Sequence, residues 1–171
     1  AENEATASAA YSGRETEALC GMYGKLSRAK RRFKVGAAAV SFESLMRAPS
    51  AADRWSWECL YPAPYQHRVS ELETEYAISK GLLHSLMRQE SAFDPDARSP
   101  VGAEGLMQLM PTTAEQAAKE AKLEDFRPED VGAPETNIKL GAFYISKLLR
   151  TFDGSIPLAV GTMWNTSSGP T

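Results

Sequence analysis

Between residues 66 and 152 apolar positions recur every three or four residues, and strict alternation is absent throughout. Ala, Leu, Glu, Lys and Met dominate outside the turns. Both features predict an almost wholly helical chain. Residues 66 to 91 read as a helix pattern with a break near Ala77–Ser79. Ile78, Leu82 and Leu86 lie four apart, with Leu83 and Met87 beside them, so they form one apolar stripe. The next position on that stripe is Glu90. An acid is therefore expected on the inward face, at the helix C-terminus. There burial and the negative end of the helix dipole both penalise the charged form. A glutamate kept partly protonated near neutral pH is what general acid catalysis requires.

The segment after Glu90, "SAFDPDARSPVGAEG", carries Pro95, Pro100, Gly102 and Gly105 and predicts a compact loop or a short β-ribbon. "LMQLMP" then returns as a tight apolar turn that Pro111 stops. Pro111 also suits the start of a helix running from 112 to about 122, whose Ala114, Ala117, Ala118 and Ala121 permit close packing. Gln108 sits among Leu106, Met107, Leu109 and Met110, so its amide has to find partners or face a cleft.

Downstream, "PETNIKLGAFYISKLLRTF" predicts an amphipathic helix over 134–152 with Ile138, Ala142, Ile145, Leu148, Leu149 and Phe152 on its buried face. Asn137 and Tyr144 are its candidates for pointing into a cleft. "GSIPLAVGTMW" predicts a last short helix capped by Ser155, followed by a polar tail, "NTSSGPT", expected to be loop. Upstream, residues 1 to about 60 predict three or four short helices, one of them capped by Ser50 or Asp53. "YPAPY" at 61–65 interrupts helix and marks a boundary.

Composition narrows the class. With 171 residues, 43% hydrophobic and 24% charged, the chain is long enough to bury a core. No apolar stretch reaches the roughly 18 residues of a transmembrane helix. "AENEATASAA" is acidic and polar, unlike a signal peptide. The net charge of −3 argues against nucleic acid as a partner, and the basic run "KLSRAKRRFK" at 25–34 reads as a solvated helix face. His67, His84, Cys20 and Cys59 have no metal-ligand spacing, so no structural zinc is expected. Cys20 and Cys59 suit either a disulfide or two buried thiols.

The stretch "RQESAFDPDARSPVGAEGLMQLMPTTA", together with "TNIKLGAFYISKLL" and the upstream "LYPAPY", resembles the Slt-type soluble lytic transglycosylases. Those are peptidoglycan-cleaving enzymes of goose-type lysozyme-like fold. The resemblance covers residues 60 to 161 and is specific; residues 1–60 resemble more weakly the helical region preceding the catalytic domain. It implies a helical N-terminal segment (1–60) and a lysozyme-like domain (61–171), mainly α with at most a small β-ribbon. It further implies a C-terminal part of a longer periplasmic or cell-envelope protein.

The same resemblance implies Glu90 as the single catalytic acid/base. It places Ser91, Ser99, Met107, Gln108, Met110 and Asn137 on the substrate side, with Ser91 also supporting local geometry. It implies peptidoglycan glycan strands as the partner and no metal or cofactor. The family's Tyr-Asn-Ala-Gly motif is altered: Trp164–Asn165 stands in its place, and the Ala-Gly pair is missing. Three other readings stay open: a hydrolytic muramidase, an inactive peptidoglycan-binding fragment, and a helical interaction protein. Asp94, Asp96 and Glu104 are expected to be solvated in the turn-rich segment.

Overall fold

The computed structural model describes residues 13–168, and they divide into two compact units at Pro64/Tyr65. The first unit holds α1 (Gly13–Lys25), α2 (Ala29–Ala39), the single turn α3 (Phe42–Leu45) and α4 (Arg54–Leu60). Its small core gathers Cys20, Val35 and Cys59, with Tyr23 and Trp55 packed against them. Cys20 and Cys59 form a disulfide between α1 and α4, with Cα atoms 5.9 Å apart. Asp53 occupies the N-cap position of α4 but makes no cap bond to that helix; its carboxylate turns back to Ser50 and Arg47.

The second unit comprises α5 (Gln66–Glu75), α6 (Leu82–Ser91), α7 (Pro111–Glu120), a 3₁₀ turn (Pro128–Gly132), α8 (Pro134–Thr151) and α9 (Ile156–Ser168). Helix α8 is its axis and packs against α5, α7, α9 and the 3₁₀ turn. Ile138, Ala142 and Ile145 on α8 are fully buried, as its period predicts, and Leu140, outside the expected face, is fully buried too. Leu148 is buried too, whereas Leu149 and Phe152 are only half-buried. Pro111 opens α7, and Ala114, Ala117 and Ala118 form its buried face. Lys147 Nζ of α8 reaches both carboxylate oxygens of Glu120 on α7, at 2.7 and 2.8 Å.

The expected break in the 66–91 pattern is a real gap between α5 and α6, six residues long by position. It contains Ala77 and Gly81, both at positive φ. Helix α6 starts on Gly81 without a side-chain cap of its own. Its first amides are satisfied from the previous helix: Glu73 Oε1 accepts from Gly81 N–H at 2.8 Å and from Leu83 N–H at 3.3 Å. No sheet forms among the described residues; the expected ribbon is reduced to two isolated bridges, Arg98 with Glu104 and Glu104 with Leu109. The polar tail departs from expectation. Helix α9 continues through Asn165 to Ser168, and the last three residues lie outside the described ones.

Candidate active site

Glu90 stands in the last turn of α6, half-buried, where the apolar stripe of Leu83, Leu86 and Met87 runs out. The helix ends abruptly. Ala92 and Phe93 both adopt left-handed backbone, at φ 51° and 63°. The N–H of Phe93 returns to Met87 O at 3.2 Å and that of Ala92 to Arg88 O at 3.1 Å. The left-handed Ala92, bonded back four residues to Arg88, makes this an αL-type stop without glycine. Each left-handed alanine or phenylalanine costs roughly 1–2 kcal/mol. Phe93, 2% exposed, offsets part of that cost by burial. The chain thus reverses sharply one residue beyond the Glu90–Ser91 pair.

Ser91 joins this helix end to the next segment. Its hydroxyl lies 3.0 Å from Met87 O and 2.9 Å from Leu106 O, so its one proton is shared between two carbonyls. Ser91 therefore braces the Leu106–Met110 turn against the helix that carries Glu90. Within the loop, Ser99 N–H donates to Ala103 O at 2.8 Å, and Ser99 Oγ accepts from Ala103 N–H at 2.9 Å. Glu104 and Leu109 exchange two backbone bonds at 3.0 Å. Gln108 has left-handed backbone, φ 44°, and is 8% exposed. Its Nε2 donates to Gly105 O at 2.9 Å and Ala97 O at 3.2 Å. Two carbonyl partners fix which end of the amide carries nitrogen. The amide oxygen takes no part in these two bonds.

Asn137 is the hidden hub. Its Oδ1 accepts from Met107 N–H at 2.7 Å, and its Nδ2 donates to Val131 O at 2.8 Å and Glu104 O at 2.9 Å. The side chain is fully buried. Expected to line the groove, Asn137 instead has no surface to offer a ligand. Its amide replaces the backbone partners that an irregular loop lacks. Met107 is corrected likewise: it is fully buried and packs its side chain on α8 at Gly141, where a Cβ would stand 2.8 Å from Met107 Cγ. Met110 is half-exposed at the α7 N-cap. Trp164 is 54% exposed on α9.

The structure therefore brings Glu90, Ser91, Gln108 and the loop through Ser99 to one end of α6, with Met110 next in chain. Asn137 and Met107 lie beneath them. Asp96 is exposed, and Asp94 and Glu104 are half-buried, with Glu104 Oε2 at 3.5 Å from Arg98. Among the described residues no group of histidine, cysteine or carboxylate side chains has metal-site geometry. Two residues went unread in the sequence. Tyr65 opens α5, with its phenol pushed up by burial and then by the charges of Asp96 and Glu135. Glu73 shares a helical stripe with the fully buried Val69 and Leu72, and that spacing was the available signal for it.

The sequence profile of the Transglycosylase SLT domain family matches residues 68–165, well over half of the chain and all of this site. The chain belongs to that family. The soluble lytic murein transglycosylase of Salmonella typhimurium is 34% identical over 110 residues, which are 64% of this chain and 17% of that protein. The chain thus spans less than a fifth of that relative's length. An inactive mutant of lytic transglycosylase Slt from Pseudomonas aeruginosa superposes with a TM-score of 0.74 at 24% identity, over 95% of this chain and 24% of that one. The 70 kDa soluble lytic transglycosylase of Escherichia coli gives 0.71 at 24%, over 88% and 22%. These likenesses establish the helical, lysozyme-like fold. The SLT match ends at Asn165, so it takes in the altered Trp164–Asn165 pair.

Proposed function

We propose that this chain is the catalytic part of a peptidoglycan lytic transglycosylase. In this reading it cleaves the β-1,4 bond between N-acetylmuramic acid and N-acetylglucosamine and leaves a 1,6-anhydro end. The observation that carries it is Glu90 on the last turn of α6, tied through Ser91 to the Leu106–Met110 turn inside the SLT match. Residues 1–60 are read as the helical segment preceding the domain, and 61–171 as the domain itself.

A pair of carboxylates is usual for glycosidases. With Glu90 as the single acid/base, the substrate supplies the second group. Protonated Glu90 gives its proton to the leaving oxygen as the glycosidic bond breaks. The acetamido oxygen of the muramic acid stabilises the cationic C1. Glu90, now a carboxylate, takes the proton of the C6 hydroxyl as that oxygen bonds to C1. The carboxyl group is restored, and no water, metal or cofactor takes part. Ser99, Gln108 and Met110 are assigned to the glycan side, with the Gln108 amide oxygen as a held acceptor. Trp164 is assigned to the wall at the far end, on an exposed helix face. Ser91 acts from behind, as a brace.

The substrate and the Cys20–Cys59 disulfide both favour a periplasmic or cell-envelope location. The relatives' names include soluble and membrane-bound murein transglycosylases. Among the described residues no helix is long and apolar enough to cross a membrane.

Mass spectrometry of soluble products from purified peptidoglycan tests the reading. Anhydro-muropeptides are expected from the wild-type chain and not from Glu90→Gln. Products heavier by one water, from the wild type only, would replace it with hydrolysis. Glycan binding without any product would replace it with an inactive binding fragment, the reading that the missing Ala-Gly pair favours.

A further inference from the structure

We infer that Glu73 is a positioning residue for Glu90, acting through the whole length of α6. The inference rests on the proposed role of Glu90. A helix leaves its first N–H groups without intrahelical partners, and a Ser, Thr, Asp or Asn just before the helix usually takes one of them. Here the residues before α6 are Ser79, Lys80 and Gly81, and Gly81 holds the N-cap position at φ 86°. The carboxylate comes instead from α5, eight residues before Gly81, and one oxygen takes two amides. Glu73 is 6% exposed, so the contact is shielded from solvent. A negative group at this end also suits the positive pole of the helix.

The geometry makes this cap a tether as well as a cap. A local cap moves with its helix. Glu73 belongs to another helix, which is anchored by Val69 and Leu72, both fully buried. It therefore fixes where α6 begins along its own axis. Ten residues of α6 then determine where its last turn stands. The far end is held independently by the Ser91 hydroxyl against Leu106 O, 2.9 Å away. Glu90 sits beside that second anchor. Without the first anchor, α6 is held by the burial of Leu83, Leu86 and Met87 and by the bond at its C-terminal end, and its first turn loses the contact that fixes its axial position. Catalytic geometry is sensitive to small axial shifts.

The test compares Glu73→Ala, Glu73→Gln and wild type in the full chain. The glutamine keeps an oxygen acceptor of the same reach, loses the charge, and exchanges the second oxygen, which takes neither of the two amides, for an NH2 group. On soluble glycan strands, Glu73→Ala is expected to lose about tenfold or more in kcat. KM is expected to stay within about twofold, the signature of misplaced chemistry rather than lost binding. Glu73→Gln is expected to recover kcat to within about threefold of wild type, since the two amides keep their acceptor.

Should Glu73→Ala not fold, Glu73→Asp serves, its carboxylate being one methylene too short to hold both amides. A second readout needs no turnover: the carboxyl-carbon NMR titration of Glu90 is expected to move in Glu73→Ala and to stay in Glu73→Gln. An unmoved titration and an unchanged kcat would overturn the inference, as would equal losses in the alanine and glutamine variants. An inactive wild type would overturn the proposed function instead, while the titration still decides the role of Glu73.

Discussion

A Cβ placed on Gly105 would stand 2.5 Å from Asn137 Nδ2 and 2.7 Å from its Cγ. The glycine lets the loop after Glu90 press directly on the amide that organises it. Gly105 also has φ 77°, a conformation that other residues adopt only with strain. Its N–H donates to Ala97 O at 2.9 Å, and its carbonyl takes the Gln108 amide. One small residue thus satisfies the backbone bend, the approach of α8 and two loop bonds together.

Gly105→Ala is therefore expected to destabilise the chain by about 2 kcal/mol or more, through overlap added to a left-handed alanine. Asn137→Ala should cost about as much or more, because it strands the buried Met107 N–H and the carbonyls of Glu104 and Val131. Urea denaturation followed by helical circular dichroism checks both. A loss below about 0.5 kcal/mol, the size of an ordinary surface change, would contradict the hub assigned to Asn137.

Glu90→Gln removes the only proton donor in the proposed mechanism while keeping the shape of the side chain. Rate is expected to fall by about 10² to 10⁴ or more. The fold should hold, since Glu90 is half-buried at a helix end rather than within the core. Turbidity loss of peptidoglycan suspensions measures the rate, and thermal unfolding checks the fold. Turnover at the wild-type rate would remove Glu90 from the mechanism.

The helices were legible because their period is local information. The alanines of α7, the stripe of α6 and the buried face of α8 all follow from residues three or four apart. The break before α6 followed from the same pattern. Asn137 was not legible. Its partners are Glu104, Met107 and Val131, the first of them 33 residues away, and no local rule connects an asparagine in a first helical turn to a distant loop. Which methionine of "LMQLMP" turns inward depends on the same contact. Met107 goes in because its amide is bound by Asn137 and its side chain meets Gly141, whereas Met110 begins the next helix. The helical tail was missed for a different reason. Polarity argues for loop, but a helix already propagating through Val160 and Met163 adds further residues at little cost.

Gln108 braces the loop and, in the proposed function, also meets the glycan, so its removal is expected to show in both. Gln108→Ala deletes the donors to Ala97 O and Gly105 O, and a loss of about 1–3 kcal/mol in stability follows. Saccharide affinity, followed by titration calorimetry in a Glu90→Gln background, should weaken as well, since the held amide oxygen is gone. Lost stability with unchanged affinity would make Gln108 a loop brace alone.

Acid should act on the first unit through Asp53. The Ser50 hydroxyl and then Arg47 hydrogen-bond its carboxylate and hold the carboxyl at about 2, below its ordinary 3.8. A folded value below the unfolded one stabilises the fold fully above about pH 4, and that contribution is lost as the pH falls through the folded value. Ser50→Ala should bring the Asp53 midpoint back toward 3.8 in an NMR titration. An unmoved midpoint would mean that Arg47 and the backbone N–H of residue 50 hold it without the hydroxyl.

Reduction should act on the same unit and by more. The Cys20–Cys59 bridge spans 39 residues, and closing a loop of that size stabilises by about 4 kcal/mol in the chain-entropy account. Among the described residues of the unit, the disulfide itself stands at the centre of the core, with Val35, Tyr23 and Trp55 around it. A dithiol reductant is therefore expected to expose the amides of α1 and α2 to hydrogen exchange. The buried amides of α8 should keep their protection, because Ile138, Leu140 and Ile145 belong to a core that contains no cysteine. Equal loss of protection in α1 and α8 would show that the two units unfold as one. Unchanged exchange in α1 would show that packing, rather than the bridge, holds the first unit together.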